Sequence, residues 1–497
     1  MTLVKGSDTL NLETRSLIAG ERREGRGDKK IAVSNPYNNT EITRVTPATA
    51  EDINEAVETA YRAYNDPSWR RMLGRDRGKL LMKLAELVKR DAEKLAMIES
   101  LDTGIPIRET RMEVATSVLH LEYFAGHAGK IEGVYQDLGP RFNYTIREPF
   151  GVIGQIVPWN TPFKLMARGF AAAIACGNAM VIKPSVVAPL SILEFGRLLE
   201  EAGFPRGIVN IVVGPGRTTG KALVEHPKVR KVIFTGGTEG GLEILHQAAE
   251  TVTPAVLELG GKGPIIVCED IDWDEAIDGV LTQAFARKSE VCFAGSRLFL
   301  PDSIHDRFVK DLAAKANRIP LGNPLDDATQ LGPLLTPDRV DFVQGYVDAA
   351  RKDGAQVICG GSRPEDAELK DGNYFMPTIL TGLTNDHKAA QDEIFGPVLM
   401  VMRYSDLNDA VAQANDSDFG LASYVWTNDV RKGHDLAQRI ESGNVFINSY
   451  GYQSEIPFGG YRISGMGREH GSEAIKEYTQ VKSVTVGMER FPSRFEL

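Results

Sequence analysis

A chain of 497 residues with 42% hydrophobic and 25% charged residues is too long for one core and too apolar for disorder, so two or three globular domains are expected. Its formal net charge of -10 gives no electrostatic footprint for nucleic acid or an anionic membrane. No apolar run reaches the ~18 residues of a membrane span, the polar N-terminus lacks a secretory h-region, and four scattered cysteines (Cys176, Cys268, Cys292, Cys359) offer no CxxC pair and no zinc-ligand spacing. These features lead us to expect a soluble, cytoplasmic protein with reduced thiols and no metal.

Residues 52–135 read as long helices, from EDINEAVETAYRAY to RGKLLMKLAELVKRDAEKLAMIESLDTG. RFNYTIREP (141–149) alternates like an exposed strand, and so does EYTQVKSVTV (477–486) near the other end of the chain. Lone strands of this kind suggest pairing across a subunit boundary. From residue 150 a new pattern sets in, of short apolar run, small turn and helical stretch. The runs are GVIGQIV, AMVIKP, VNIVVG, KVIFTGG, AVLELGG, PIIVCED and SRLFLP, and the helical stretches between them begin with FKLMARGFAAAIACG and LSILEFGRLLEEAG. A further α/β section runs from Asp302 to about Val445. Strands that are apolar on both faces and alternate with helices predict an α/β fold with doubly wound parallel sheets.

In such sheets ligands sit at the carboxyl ends of strands, so the loops after these runs are where chemistry is expected. Pro158-Trp159-Asn160-Thr161-Pro162 follows the first run. The Asn160 amide could hold an oxyanion, or the segment could simply be a turn. Lys183, ahead of Pro184 and Ser185, could reach a ribose or phosphate, or be a solvated loop charge. Gly214-Pro215-Gly216-Arg217-Thr218-Thr219-Gly220-Lys221-Ala222 fails as a nucleoside triphosphate loop, because its glycine spacing is wrong and Ala222 stands where a hydroxyl is required. Phe234-Thr235-Gly236-Gly237-Thr238-Glu239-Gly240-Gly241 follows a strand and opens a helix, as a modified dinucleotide fingerprint with Thr238 in the second glycine's place. Glu258 lies in the apolar run AVLELGGK, where a carboxylate is either paired, with Lys262 for instance, or raised in pKa and used as a base. QDEIFGP adds Glu393 and Phe395. Cys292, in ARKSEVCFAGSR, is by itself better read as a small buried hydrophobe than as a nucleophile.

The order of these pieces changes that reading. PWN, KPS, a GxTxxG-type turn, LELGGK, a cysteine before AGSR, EIFGPV and PFGG-(x)4-GMGRE form one ordered series. It closely resembles the aldehyde dehydrogenase superfamily, in its NAD(P)-dependent hydrolytic form, from about residue 18 to 486. The resemblance implies that Cys292 attacks the aldehyde, that the Asn160 amide and the Cys292 backbone N–H hold the oxyanion, and that Glu258 activates the water that hydrolyses a thioester. It assigns Trp159, Lys183, Ser185, Val186, Gly216, Gly236, Gly237, Glu393 and Phe395 to NAD or NADP. It implies a dinucleotide-binding domain (1–125 and 150–258), a catalytic domain (259–461) and a β-strand arm (126–149 and 470–490) that joins a homodimer or homotetramer.

Departures from the family pattern shape the remaining expectations. Ser289 and Glu290 replace a usual Gly and Gln, and Glu290 could raise the pKa of the nearby thiol or face solvent. Val186 stands where NAD-preferring members often carry Glu, so NADP is admissible. Gly237 replaces a common Ser. Arg168, eight residues after Asn160, could line the substrate tunnel and favour a carboxylate-bearing aldehyde, or could be a surface or interface arginine. Thr161 leaves room for an aromatic aldehyde. Two alternatives remain, a CoA-acylating semialdehyde dehydrogenase and a non-catalytic structural member. The first typically lacks the Glu258 carboxylate, and the second commonly loses the cysteine or the glutamate.

Overall fold

The apolar runs after residue 150 form neighbouring parallel strands in the computed structural model, which describes residues 11–451, 453–490 and 494–495. Val209–Ile211, Ala179–Lys183, Val152–Ile156, Val229–Thr235 and Ala255–Glu258 pair in that spatial order, all parallel. Antiparallel strands extend both edges. Ser16–Ile18 and Glu21–Arg23 add to one side, and Gly465–Met466 runs beside Glu258 on the other. A second sheet of seven strands draws on residues 263–447, with Gly295–Pro301 and Gly263–Val267 near its middle and only Gln356–Cys359 antiparallel.

Both sheets are buried on both faces, as their unbroken apolar runs require. In the second, Ile265 and Val267 enter one core while Ile266 enters the opposite one, the period-two alternation of a strand. Around the first sheet pack the helices of the N-terminal third, including Gly74–Arg90, Ala92–Thr103 and Ile107–His127. Helix Pro162–Ala175 is different in kind, because every one of its residues is buried. A helix apolar all round needs no polar partner, but this one carries Lys164 and Arg168.

The segment TTGKALVEHP differs from its expected single helix. It opens with a π-type turn, Gly216–Gly220, and only Lys221–Val224 is α-helical. The two alternating strands find partners within the chain. Arg141–Pro149 pairs with Thr479–Gly487 over nine residues, from Thr479 opposite Pro149 to Gly487 opposite Arg141, and Tyr135–Asp137 completes a three-stranded sheet. The chain thus supplies a strand partner for each of them. No helix among the described residues is long and apolar enough to cross a membrane.

The return of the chain to the first sheet depends on glycine. Gly465 has φ +132°, and a Cβ there would lie 1.9 Å from the Leu257 carbonyl oxygen. Gly465→Ala is therefore expected to cost about 2 kcal/mol or more and to lower the thermal midpoint by several degrees. An unchanged midpoint would mean that the strand tolerates a side chain beside Glu258.

Candidate active site

The two sheets turn their loops toward one another. Strand Val152–Ile156 leads into Pro158, Trp159 and Asn160, strand Val229–Thr235 into Gly236 and Gly237, and strand Ala255–Glu258 ends at Glu258 itself. Cys292 and the pair Glu393 and Phe395 arrive from segments just ahead of strands Gly295–Pro301 and Val398–Tyr404. Together with Thr235, Gly260 and Arg339 these residues line one cavity of about 250 Å³. A larger groove of about 1030 Å³, lined by residues such as His305, Ile358 and Arg403, contains none of them.

Small residues make the convergence possible. A Cβ on Gly260 would lie 2.4 Å from the Glu393 carboxylate, and one on Gly261 would lie 2.3 Å from the Cys292 carbonyl oxygen. The Gly261 N–H donates to Glu393 Oε1 at 2.9 Å. Trp159 and Phe395 meet edge to face, with ring centroids 5.5 Å apart. Phe395 is itself left-handed, with φ 54°, and Arg339 donates to the carbonyls of Ile394 and Phe395. Gly237 caps helix Thr238–Ala249, and a side chain there would meet nothing within 4 Å. This open space before a helix N-terminus suits a pyrophosphate.

Other predicted residues lie outside this cavity's lining. The Lys183 ammonium is buried and donates to the carbonyls of Pro184 and Gly214 at 2.9 Å each; burial pushes its pKa down to about 8. Gly216 opens the adjacent turn with free space around its Cα. Ser185 is half-buried, and Val186 packs against the core of the first sheet. Thr161 is buried at the start of helix Pro162–Ala175, whose first turn is capped when Phe163 N–H donates to the carboxylate of Glu99.

Electrostatics around the cavity is governed by burial. Desolvation pushes the Cys292 thiol up to about 12; Arg168 and Lys164 pull it down, while Glu258 and Glu393 push it further up. Burial also carries the Glu258 carboxyl well above the usual carboxylate range, opposed by Arg168 and reinforced by Glu469. Glu393 is pushed up to about 7 by burial, against the Gly261 hydrogen bond and the charge of Lys262. Burial therefore disfavours the ionised form of both Cys292 and Glu258, and the negative charge of Glu258 adds to the cost of ionising the thiol.

Three expectations from the sequence are corrected here. Glu290 does not face solvent: it is fully buried, forms an ion pair with Lys288 at 2.7 Å and accepts from Leu335 N–H. Lys262 does not pair with Glu258, and its own pKa falls to about 7 through burial with Glu393 and Asp392 as the opposing charges. Arg168 is not a surface arginine. It forms a buried ion pair with Glu469 and donates to Thr235 Oγ1 at 3.2 Å.

Several residues escaped the sequence reading. Glu113 pairs with Lys164 at 2.5 Å and also with Arg287, and Arg287 donates to the Tyr450 hydroxyl at 2.9 Å. Glu469 was in view within GMGRE, but nothing local marks it as the partner of Arg168. The turn before Cys292 also had no sequence signal. Arg287, Lys288 and Ser289 are consecutive left-handed residues with φ of 52°, 63° and 58°, a conformation that costs about 1–2 kcal/mol for each residue with a Cβ. Beyond this turn, the Asn160 amide donates to the Glu290 carbonyl at 2.9 Å.

Comparison with known proteins points to one family. Residues 23–484 match the profile of the aldehyde dehydrogenase family. Betaine aldehyde dehydrogenase of Bacillus subtilis (strain 168) is 40% identical over 470 residues, 94% of this chain and 96% of that protein. Retinaldehyde dehydrogenase 3 of Homo sapiens is 39% identical, covering 96% and 94% of the two chains. The crystal structure of betaine aldehyde dehydrogenase from Staphylococcus aureus in complex with NAD+ matches with a TM-score of 0.98 and 35% identity, covering 100% of both chains.

Two outcomes are expected from this geometry. Alkylation of Cys292 by iodoacetamide should rise by about tenfold per pH unit from neutrality to about pH 10, since only the thiolate reacts; a plateau near neutrality would show a thiolate already held there. Arg168→Ala should impair turnover of neutral and anionic aldehydes alike, because it leaves Glu469 buried without its partner. A KM rise confined to anionic aldehydes would restore the substrate-binding reading.

Proposed function

The chain belongs to the aldehyde dehydrogenase family, and on that premise we propose that it oxidises an aldehyde to the carboxylic acid by covalent catalysis at Cys292, with NAD or NADP as oxidant. The observation that carries this reading is the single cavity in which Cys292, Glu258 and Asn160 meet Gly236, Gly237, Trp159, Glu393 and Phe395. The residues fit a dinucleotide. Gly236 and Gly237 open the helix that would face its pyrophosphate, and Glu393 and Phe395 would hold the nicotinamide end. Lys183, Ser185, Val186 and Gly216 would lie along the adenosine. The dinucleotide, when bound, accepts the hydride from the aldehyde carbon.

The protein's own groups do the rest. The Cys292 sulfur adds to the carbonyl carbon, and its proton passes to a base. The new oxyanion takes a hydrogen bond from the Asn160 amide and from the Cys292 N–H. After oxidation the acyl group remains on sulfur as a thioester. Glu258, once ionised, removes a proton from water as it attacks, which releases the acid and restores the thiol. Because Glu258 and Cys292 repel each other's charge, loss of the proton from one favours its retention on the other. A carboxyl in this position supports hydrolysis rather than transfer to CoA.

For substrate, the surroundings favour a neutral aromatic aldehyde over a carboxylate-bearing one. The cation expected to bind a carboxylate is already paired with Glu469. Phe293, next to the nucleophile, packs against Tyr450 and Phe458 with ring centroids 5.7 Å and 6.0 Å away. Val186 brings no carboxylate to the adenosine side, so nothing there repels the 2′-phosphate of NADP.

We also propose that residues 1–125 and 150–258 form the dinucleotide-binding unit, 259–461 the catalytic unit, and 126–149 with 470–490 the arm of a homodimer or homotetramer; residues 1–10 lie outside the described residues. The three-stranded sheet supports the arm, since Tyr135, Tyr144, Ile146 and Val481 leave apolar surface exposed on it.

The test follows NAD(P)H absorbance with aromatic, aliphatic and carboxylated aldehydes. Cys292→Ala should abolish turnover. Asn160→Ala should lower kcat by about 10²–10³-fold. Glu258→Gln should keep a first-turnover burst while steady-state turnover falls by about 10²–10⁴-fold. Activity in the wild type should climb from neutral into alkaline pH, because a base works only when ionised and burial has raised its pKa. Full turnover by Cys292→Ala would overturn the reading.

A further inference from the structure

Two parts of the proposed machinery arrive on separate elements, and one buried carboxylate touches both. Asn160 stands just before helix Pro162–Ala175, and Lys164 lies in that helix's first turn. Cys292 follows the left-handed turn of Arg287, Lys288 and Ser289. Glu113, on helix Ile107–His127, pairs through Oε2 with Lys164 and through Oε1 with Arg287. An unbroken chain of ionic contacts therefore runs from the helix that carries Asn160, through Glu113, to the loop that carries Cys292.

The loop has reason to need such a tether. Three consecutive non-glycine residues with positive φ persist only where their surroundings over-determine them. Here each has its own anchor. The Arg287 N–H donates to the Glu109 carboxylate at 3.1 Å, and its guanidinium lies over the Phe293 ring at 5.9 Å. The Lys288 ammonium donates to the Thr103 carbonyl and pairs with Glu290, and the Ser289 hydroxyl donates to the Ala284 carbonyl. Glu109, Glu113 and Thr103 belong to helices packed around the first sheet, so the turn is fastened to the same body that positions Asn160. The outcome is read at one contact, the 2.9 Å hydrogen bond from the Asn160 amide to the Glu290 carbonyl.

We propose that the buried triad Lys164–Glu113–Arg287 is a positioning device that keeps the Asn160 amide in register with the Cys292 sulfur. It rests on the reading of Cys292 as nucleophile and Asn160 as oxyanion donor. Glu113 touches neither the reacting atoms nor the cofactor cavity; it acts through the two cations it holds.

The triad makes a prediction that a purely structural role does not. Glu113→Gln keeps the shape of the side chain but removes the charge that both cations share. It should lower kcat and the burst rate by about tenfold or more, with the KM for NAD(P) within about twofold of wild type. In an Asn160→Ala background, where no amide remains to be aligned, the same change should cost less than about threefold. Equal fold-losses in the two backgrounds, or an unchanged kcat, would overturn the proposal. Should Glu113→Gln fail to fold, Arg287→Lys serves in its place. It retains the charge but not the fork that reaches Glu113 and Tyr450 together, and should show a smaller loss with the same dependence on Asn160; wild-type kcat in Arg287→Lys would refute the triad. Controls separate this idea from its premise. If Cys292→Ala still turns over, the nucleophile assignment falls and the triad falls with it. If the controls hold and the Glu113 cycle is additive, only the triad falls.

Discussion

Helix Pro162–Ala175 has no solvent-facing side, yet it carries two cations, and the arrangement around the cavity depends on how their charges are met. An ionised side chain in a protein interior is tolerated only with a partner of opposite charge and well-placed hydrogen bonds. Lys164 finds Glu113 and Arg168 finds Glu469. Each carboxylate then reaches further, Glu113 to Arg287 on the loop that leads to Cys292 and Glu469 to the neighbourhood of Glu258. Satisfying one buried helix thus draws in Glu258 and the loop of Cys292. Such pairs need not add stability compared with an apolar core; their effect here is to specify position.

Close approach of backbone is the second constraint. The cavity exists because strands of two sheets bring their ends together with almost no side-chain volume between them. Gly260 and Gly261 sit against Glu393 and Cys292, and Gly465 runs beside Leu257. The same closeness excludes water, which raises the pKa values of Cys292, Glu258 and Glu393 together. Burial makes the groups reluctant to ionise, and the cations of the buried helix partly counteract it. Ionisation of these groups is dominated by burial, with the neighbouring charges modulating it.

Much of this was legible in the chain alone. Alternation of apolar runs with helical stretches located the five parallel strands of the first sheet to within about three residues, though not its antiparallel edge strands, because a strand buried on both faces must be apolar throughout and a following helix must begin with a turn. The ordered motifs PWN, FTGG, LELGGK, the cysteine before AGSR and EIFGP named residues that line one cavity; the first three sit where strands end and the last two just ahead of strands. Lys183, Ser185, Val186 and Gly216, singled out by the same reasoning, lie elsewhere along the loops.

Tertiary structure alone decided the pairing of charges and the fate of the edge strands. Arg168 could be read as a tunnel residue because eight positions along a helix suggest a shared face, but the residue that neutralises it lies in GMGRE at the far end of the chain. Pattern carries the period of an element and the chemical type of each residue; it holds no record of which distant carboxylate meets which cation. The strands at 141–149 and 479–487 were recognisable as strands, whereas their pairing with each other is a property of the closed fold. The left-handed turn of Arg287, Lys288 and Ser289 had no glycine to announce it, because its conformation is imposed by anchors on other helices and not by its own residues.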